Sequence, residues 1–178
     1  MKHIIVCNAQ VPFHQGGAEI HADGLVHALR EHGHIVEQVN LPFADYPRAE
    51  ILKGALAWRL LKLDTIMGSS DRVDAVICLK YPSYVVQHPH KIVWLIHQYR
   101  AAYDLLGTAY SDLRDSAEDR RIIRMLRRMD NKTLGEAKAL YTNARNTAQR
   151  LARYNGLPAA PLYHPPQYVG RYRCDSYG

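Results

Sequence analysis

The segment Gln15-Gly16-Gly17-Ala18-Glu19 sets two adjacent glycines just before a helical pattern. Glycines at a helix start let the backbone approach a ligand closely, and the first-turn N–H groups favour an anion such as phosphate. The spacing is neither G-x-G-x-x-G nor a P-loop. The alternative is a turn that needs positive φ and binds nothing. A second candidate is His97, in the run Trp94-Leu95-Ile96-His97-Gln98-Tyr99-Arg100. An imidazole donates or accepts a hydrogen bond near neutral pH. Beside it Arg100 could hold an anionic group and Tyr99 could stack, or both could be ordinary surface residues. Lys80 precedes Tyr81-Pro82, a turn fixed by its proline. It could reach a phosphate or simply be solvated.

Five arginines, Arg120, Arg121, Arg124, Arg127 and Arg128, fall on one side of a helical pattern. Ile122, Ile123, Leu126 and Met129 fall on the other. Such a basic amphipathic helix suits anionic lipid headgroups, unless its charged side is only a solvated outer face. His32 and His34 flank Gly33, and His88 and His90 flank Pro89, without cysteine or carboxylate at zinc-finger spacing. No metal site is expected there. A G-x-S-x-G elbow is absent.

These residues need a frame. His3–Cys7 reads as a first strand, and Ala18, Ala22, Leu25, Val26 and Leu29 form a helical apolar stripe closed by Gly33. Ile35–Val39 is a second strand, Pro47–Leu63 a helix, Asp74–Leu79 a third strand and Ser83–Val86 a short helix. Lys91–Ile96 is a fourth strand. A polar connection, Tyr99–Ser116, leads to a helix over Glu118–Ala137. Ala139–Thr142 is a fifth strand, and Asn143 is positioned to cap a helix running to Tyr154 that Asn155-Gly156 ends. Ala160–Tyr163 is a last strand. Alternation of this kind predicts an α/β, Rossmann-like three-layer domain, with a mainly parallel sheet covered on both faces. Ligands of such sheets bind beyond the carboxyl ends of the strands, so the loops after Cys7, Leu79, Ile96 and Thr142 should carry function. The tail, His164–Gly178, has no periodicity and reads as a linker.

The chain has 178 residues, enough for one substantial core but not for two full α/β domains. Its net charge of +6 raises the prospect of an anionic partner. There is no recognisable nucleic-acid motif, so no nucleic-acid partner is expected. Three cysteines, Cys7, Cys78 and Cys174, cannot pair completely, and two sit in apolar runs. That favours a reducing cytoplasm over a disulfide framework. Neither a secretory leader nor a spanning apolar run is visible. The expected location is cytoplasmic, and peripheral at the inner face of the membrane if the arginine helix engages lipid.

Three stretches together resemble the family 4 glycosyltransferases. They are HIIVC with the loop ending in Gly16-Gly17-Ala18-Glu19, then Asp74–Leu105 with its WLIHQYRAAYDL segment, then Leu140–Pro166 with TNARNTAQRLARYNG. The resemblance covers most of the chain in the right order. It implies the N-terminal, acceptor-side half of a GT-B architecture, in which two Rossmann-like domains face a cleft. The partner domain would bind most of the nucleotide-sugar and carry an E-x7-E motif. Transfer would retain the anomeric configuration without a required metal or cofactor. By the resemblance, Gly16 and Gly17 match the loop that approaches the donor phosphates and sugar, and His97 matches a histidine near the transferred sugar. Glu19, Lys80, Tyr99, Arg100 and Asn143 are carried over as acceptor or cleft residues.

The expected organisation is therefore a domain over residues 1–163, with 164–178 a linker towards an absent C-terminal donor-binding domain. The donor would be a nucleotide-diphosphate sugar such as GDP-mannose or UDP-glucose, and the acceptor a glycan or a lipid-linked precursor of envelope or polysaccharide synthesis. An anionic membrane surface would be met through Arg120, Arg124, Arg127 and Arg128. The competing expectation is a non-catalytic Rossmann-like module that binds a nucleotide or another protein.

Overall fold

Valine, isoleucine and leucine crowd the central runs, and these pair as parallel strands in the computed structural model, which describes residues 1–65, 71–166, 171 and 173. The elements are β1 (His3–Gln10), α1 (Gly17–Glu31), β2 (Ile35–Pro42), α2 (Ala49–Leu60), β3 (Ala75–Lys80) and β4 (Lys91–His97). They continue with α3 (Ala117–Gly135), β5 (Ala139–Thr142), α4 (Arg145–Asn155) and the two-residue β6 (Ala160–Pro161). Single 3-10 turns follow β3 at Ser83–Val85 and β4 at Arg100–Ala102. The six strands are all parallel, in the order β2-β1-β3-β4-β5-β6. This is an α/β domain of Rossmann-like layout. The chain leaves β1 in one direction and β3 in the other, so the crevice of such a sheet opens between their carboxyl ends.

Cover on the two faces is uneven. Ile5, Cys7, Val76, Cys78, Val93 and Leu95 meet the inner sides of α2, α3 and α4 in one large core. On the other face Ile4, Val6, Val36 and Leu79 meet only α1, through Ala22 and Val26. Trp94 and Ile96 pack at the margin of this cluster and stay half-buried, with the Trp94 ring 4.4 Å from the His21 ring of α1. Trp94 Nε1 donates to the Leu162 carbonyl at 2.8 Å, which ties the segment after β6 to this face. Cys7 and Cys78 lie side by side in register, free and buried, as small apolar residues. Cys174 lies outside the described residues, as does most of the tail read as a linker.

One helix end differs from expectation. Gly33 (φ 79°) and Gly156 (φ 65°) do take the left-handed conformation that closes α1 and α4. At the start of α4, however, the cap position is Ala144, not Asn143. Asn143 N donates to the Leu95 carbonyl at 3.0 Å and so still belongs to the sheet ladder. Its side chain accepts from Thr147 Oγ1 at 2.9 Å.

The arginine helix is only partly a free basic face. Ile122, Ile123 and Leu126 are buried as expected. Arg127 turns inward: its Nε and Nη2 donate to the Ala102 carbonyl at 3.0 and 2.8 Å, and the guanidinium lies 5.4 Å from the Tyr103 ring centre. Arg127 therefore holds the loop after β4 and is withdrawn from any lipid-facing set. Arg120 pairs with Asp115 at 2.6 Å, while Arg121, Arg124 and Arg128 are exposed. Among the described residues no helix is long and apolar enough to cross a membrane.

Asp130, on α3, is wholly buried and accepts from Tyr84 Oη at 2.9 Å and Tyr103 Oη at 2.7 Å. Burial pushes its carboxyl up to about 7, and the two hydroxyls only partly oppose that. A carboxyl near 4 when unfolded and near 7 when folded keeps a proton in the native state that the unfolded chain has lost. Its stabilising contribution is thus complete below pH ~4 and disappears as pH rises through about 7. Over that window the loss amounts to about 4 kcal/mol. Asp130→Asn is expected to flatten this part of the profile, checked by urea midpoints of both proteins at pH 5 and pH 8.

Candidate functional site

The first turn of α1 and the end of β3 are bolted together at the crevice. Lys80 Nζ donates to Glu19 Oε1 at 2.7 Å, and Glu19 Oε2 accepts from the Gly16 amide at 3.0 Å. Both charged residues are buried, Glu19 at 7% exposure and Lys80 at 8%. Lys80 is therefore not the solvated lysine that the sequence allowed. Burial alone would raise the Glu19 carboxyl, but Lys80 and the Gly16 amide outweigh it and hold the group below the ordinary carboxylate range.

The glycine pair is not there for positive φ. Gly16 caps α1 in an extended conformation (φ −124°, ψ −167°), and Gly17 is absent from the left-handed region. A Cβ on Gly16 would meet His14 Nε2 at 3.1 Å. A Cβ on Gly17 would meet nothing within 4 Å. Nothing among the described residues requires Gly17 to be a glycine, so the turn explanation fails at this position. The space in front of it is open, and the Gly17 and Ala18 amides have no acceptor within the helix.

His97 ends β4 and stands opposite Lys80 in the strand register. Its Nδ1 lies 2.8 Å from the Gln98 carbonyl. A carbonyl only accepts, so Nδ1 carries the hydrogen and Nε2 presents a lone pair. Burial, aided by the cations Lys80, Arg150 and Arg100, holds the ring below the usual histidine range. His97 is thus a neutral acceptor at physiological pH.

Lys80, His97, Tyr99 and Arg100 share one cleft of about 410 Å³, which Phe43 and Tyr110 also line. Tyr99 does not stand free to stack: its hydroxyl donates to Asp112 at 2.9 Å and its ring packs at 6.1 Å from Phe43. Arg100 is held by Asp104 through Nε and Nη2, the latter at 2.6 Å. Asn143 does not line this cleft. Gly16, Gly17, Glu19, Lys80, His97, Tyr99 and Arg100 thus lie along the carboxyl-end edge of the sheet, and Asn143, which follows β5, lies at the same edge but outside this cleft.

Several residues here escaped the sequence reading. Arg150, from α4, donates to Gln98 Oε1 at 3.3 Å and pairs with Asp104 at 3.7 Å. Gln98 is fully buried and donates to Asn155 Oδ1 at 2.8 Å, and Asn155 Nδ2 reaches Tyr103 Oη at 3.3 Å. This network runs from the residue after His97 to Asp130 and fixes the strand end rigidly. The polar residues Asn8, Gln10, Gln38 and Asn40, which end β1 and β2, were also missed. They interrupt otherwise apolar strands at alternate positions, which is the signal that marks them.

In comparisons with known proteins the chain matches no family model, no curated protein and no solved structure.

Proposed function

We propose that this chain is the acceptor-side domain of a retaining GT-B glycosyltransferase, one that moves a hexose from a nucleotide-diphosphate sugar to a glycan or lipid-linked acceptor. The observation that carries the reading is the Glu19–Lys80 bridge beside His97 at the crevice of the sheet. It places an open glycine amide, a helix N-terminus and a neutral imidazole at one edge. Glu19 and Lys80 neutralise each other, which leaves the first-turn amides and the helix dipole to meet a diphosphate. The Nε2 lone pair of His97 accepts a hydroxyl hydrogen of the sugar, a contact that needs no proton transfer. The resemblance to family 4 enzymes points to the same residues, with GDP-mannose and UDP-glucose as the donors to try first.

On this reading the leaving diphosphate needs a second domain. Most of the charge that develops in transfer would be met there, and such stabilisation is usually the largest catalytic contribution. The chain alone is therefore expected to transfer sugar negligibly. The test is release of labelled sugar from both donors by this chain, and by a polypeptide that also carries a donor-binding domain. Full transfer by the chain alone would overturn the division of labour. Absence of nucleotide-sugar turnover by the two-domain polypeptide, with all acceptor classes, would overturn the reading itself.

A further inference from the structure

A second cleft, of about 330 Å³, lies on the α1 side of β1 and β2, and His97 is not among its lining. Five carboxamides line it: Asn8, Gln10, Gln15, Gln38 and Asn40. Two carboxylates, Glu19 and Asp23, do so as well, and neither lysine nor arginine is among its described lining.

Asn8 is the unusual member. It is 1% exposed, yet neither Nδ2 nor Oδ1 has a partner among the described residues. Buried polar groups are almost always paired, because an unpaired one loses water and gains nothing. Asn8 stands directly opposite Asn40 in the parallel register, and Gln38 Nε2 donates to Asn40 Oδ1 at 3.2 Å. Phe13 forms the outer lip. Its side chain is fully exposed, and its φ of 61° is a left-handed conformation that a phenylalanine rarely adopts. An aromatic ring held out into water beside the unpaired carboxamide of Asn8 is unexplained by packing.

The chemistry selects one ligand class. Each carboxamide sets a donor beside an acceptor, which matches hydroxyls that both donate and accept. The carboxylates add acceptors and repel anions, so a phosphate is disfavoured. The exposed ring of Phe13 offers an apolar platform for the C–H face of a pyranose. We propose that this cleft binds an uncharged sugar unit, held by Asn8, Gln38 and Asn40 and stacked on Phe13. The inference deepens the sugar-transfer reading and rests on it for choosing a sugar over another polyol. The unit would belong to the acceptor, since the open Gly17 backbone is outside this cleft's lining.

An NMR titration of this chain with methyl α-glucoside and methyl α-mannoside, and with inorganic phosphate as the anionic control, tests it. At least one glycoside is expected to shift the side-chain amide signals of Asn8 and Asn40, with millimolar affinity, while phosphate does not. Asn8→Leu is expected to lose the response and to melt about 2–4 °C higher, because it removes an unpaired buried carboxamide. If that variant does not fold, the surface pair Gln38→Ala/Asn40→Ala decides, with a loss of at least tenfold in affinity expected. No shift with either glycoside, a shift with phosphate instead, or unchanged binding in the variants would overturn the proposal. Its failure is separable from that of the transferase reading: nucleotide-sugar turnover without glycoside binding sinks only the cleft, and glycoside binding without turnover sinks only the transferase.

Discussion

Alanine at Glu19 is expected to lower the free energy of unfolding by about 3–5 kcal/mol, the range for breaking a buried ion pair from one side. The loss has two parts. Lys80, at 8% exposure, would be left buried without the carboxylate 2.7 Å away. The Gly16 amide would lose its acceptor at the start of α1. Most of the cost is thus the burial of a lone ammonium, not the worth of the bridge. A double variant, Glu19→Ala/Lys80→Met, should therefore recover much of the stability, because both charges leave together. Guanidinium unfolding of the two single variants and the double variant measures this coupling. A Glu19→Ala loss below about 1 kcal/mol would mean the pair behaves as an exposed surface bridge. The sign with pH is also set. The Glu19 carboxyl is held below its unfolded value, so its contribution is present above pH ~4 and is lost as pH falls through the lower folded value.

That bridge shows where the sequence was legible and where it was not. The order of strands and helices could be read because apolar β-branched runs alternate with helical stripes. The strand ends could not. β1 runs to Gln10 rather than Cys7, β2 to Pro42 rather than Val39, and β4 to His97 rather than Ile96. In each case the backbone ladder continues where the side chains turn polar, since hydrogen bonding in a sheet does not depend on side-chain polarity. Hydrophobic patterning thus stops at the edge where chemistry begins, which is why Asn8 and Asn40 went unnoticed.

Pairs distant in the chain were equally hidden. Glu19 and Lys80 were each singled out, but their contact depends on β3 pairing with β1, a fact of topology. Arg127 was assigned to the basic face because helical spacing alone placed it there. Its position on the margin of that face let the guanidinium reach the Ala102 carbonyl instead. Asn143 looked like a cap because its residue type favours caps. The ladder bond from its amide to Leu95 moved the helix start by one residue.

Gly17 separates a structural from a functional explanation most cleanly, and its expected effect on activity is the largest. A Cβ there has nothing within 4 Å among the described residues beyond its own helix and chain neighbours, and the backbone does not occupy the left-handed region that would make a side chain costly. Gly17→Val is therefore expected to leave the melting temperature close to that of the parent chain. The same methyl groups would project into the open space before the first-turn amides, where the proposed diphosphate must approach. Displacing a reacting group by about 1 Å costs on the order of 10²-fold in rate. A fall of at least that size in kcat/KM is expected for sugar transfer by the two-domain polypeptide carrying Gly17→Val. Gly16→Ala is the contrasting case, since its Cβ would press on the His14 ring at 3.1 Å and disturb the loop itself. Unfolding curves beside steady-state rates for both variants discriminate the explanations. Unchanged transfer in a well-folded Gly17→Val protein would remove the diphosphate from this helix start. A loss of activity that merely tracks a lowered melting temperature would return the glycine to a structural role.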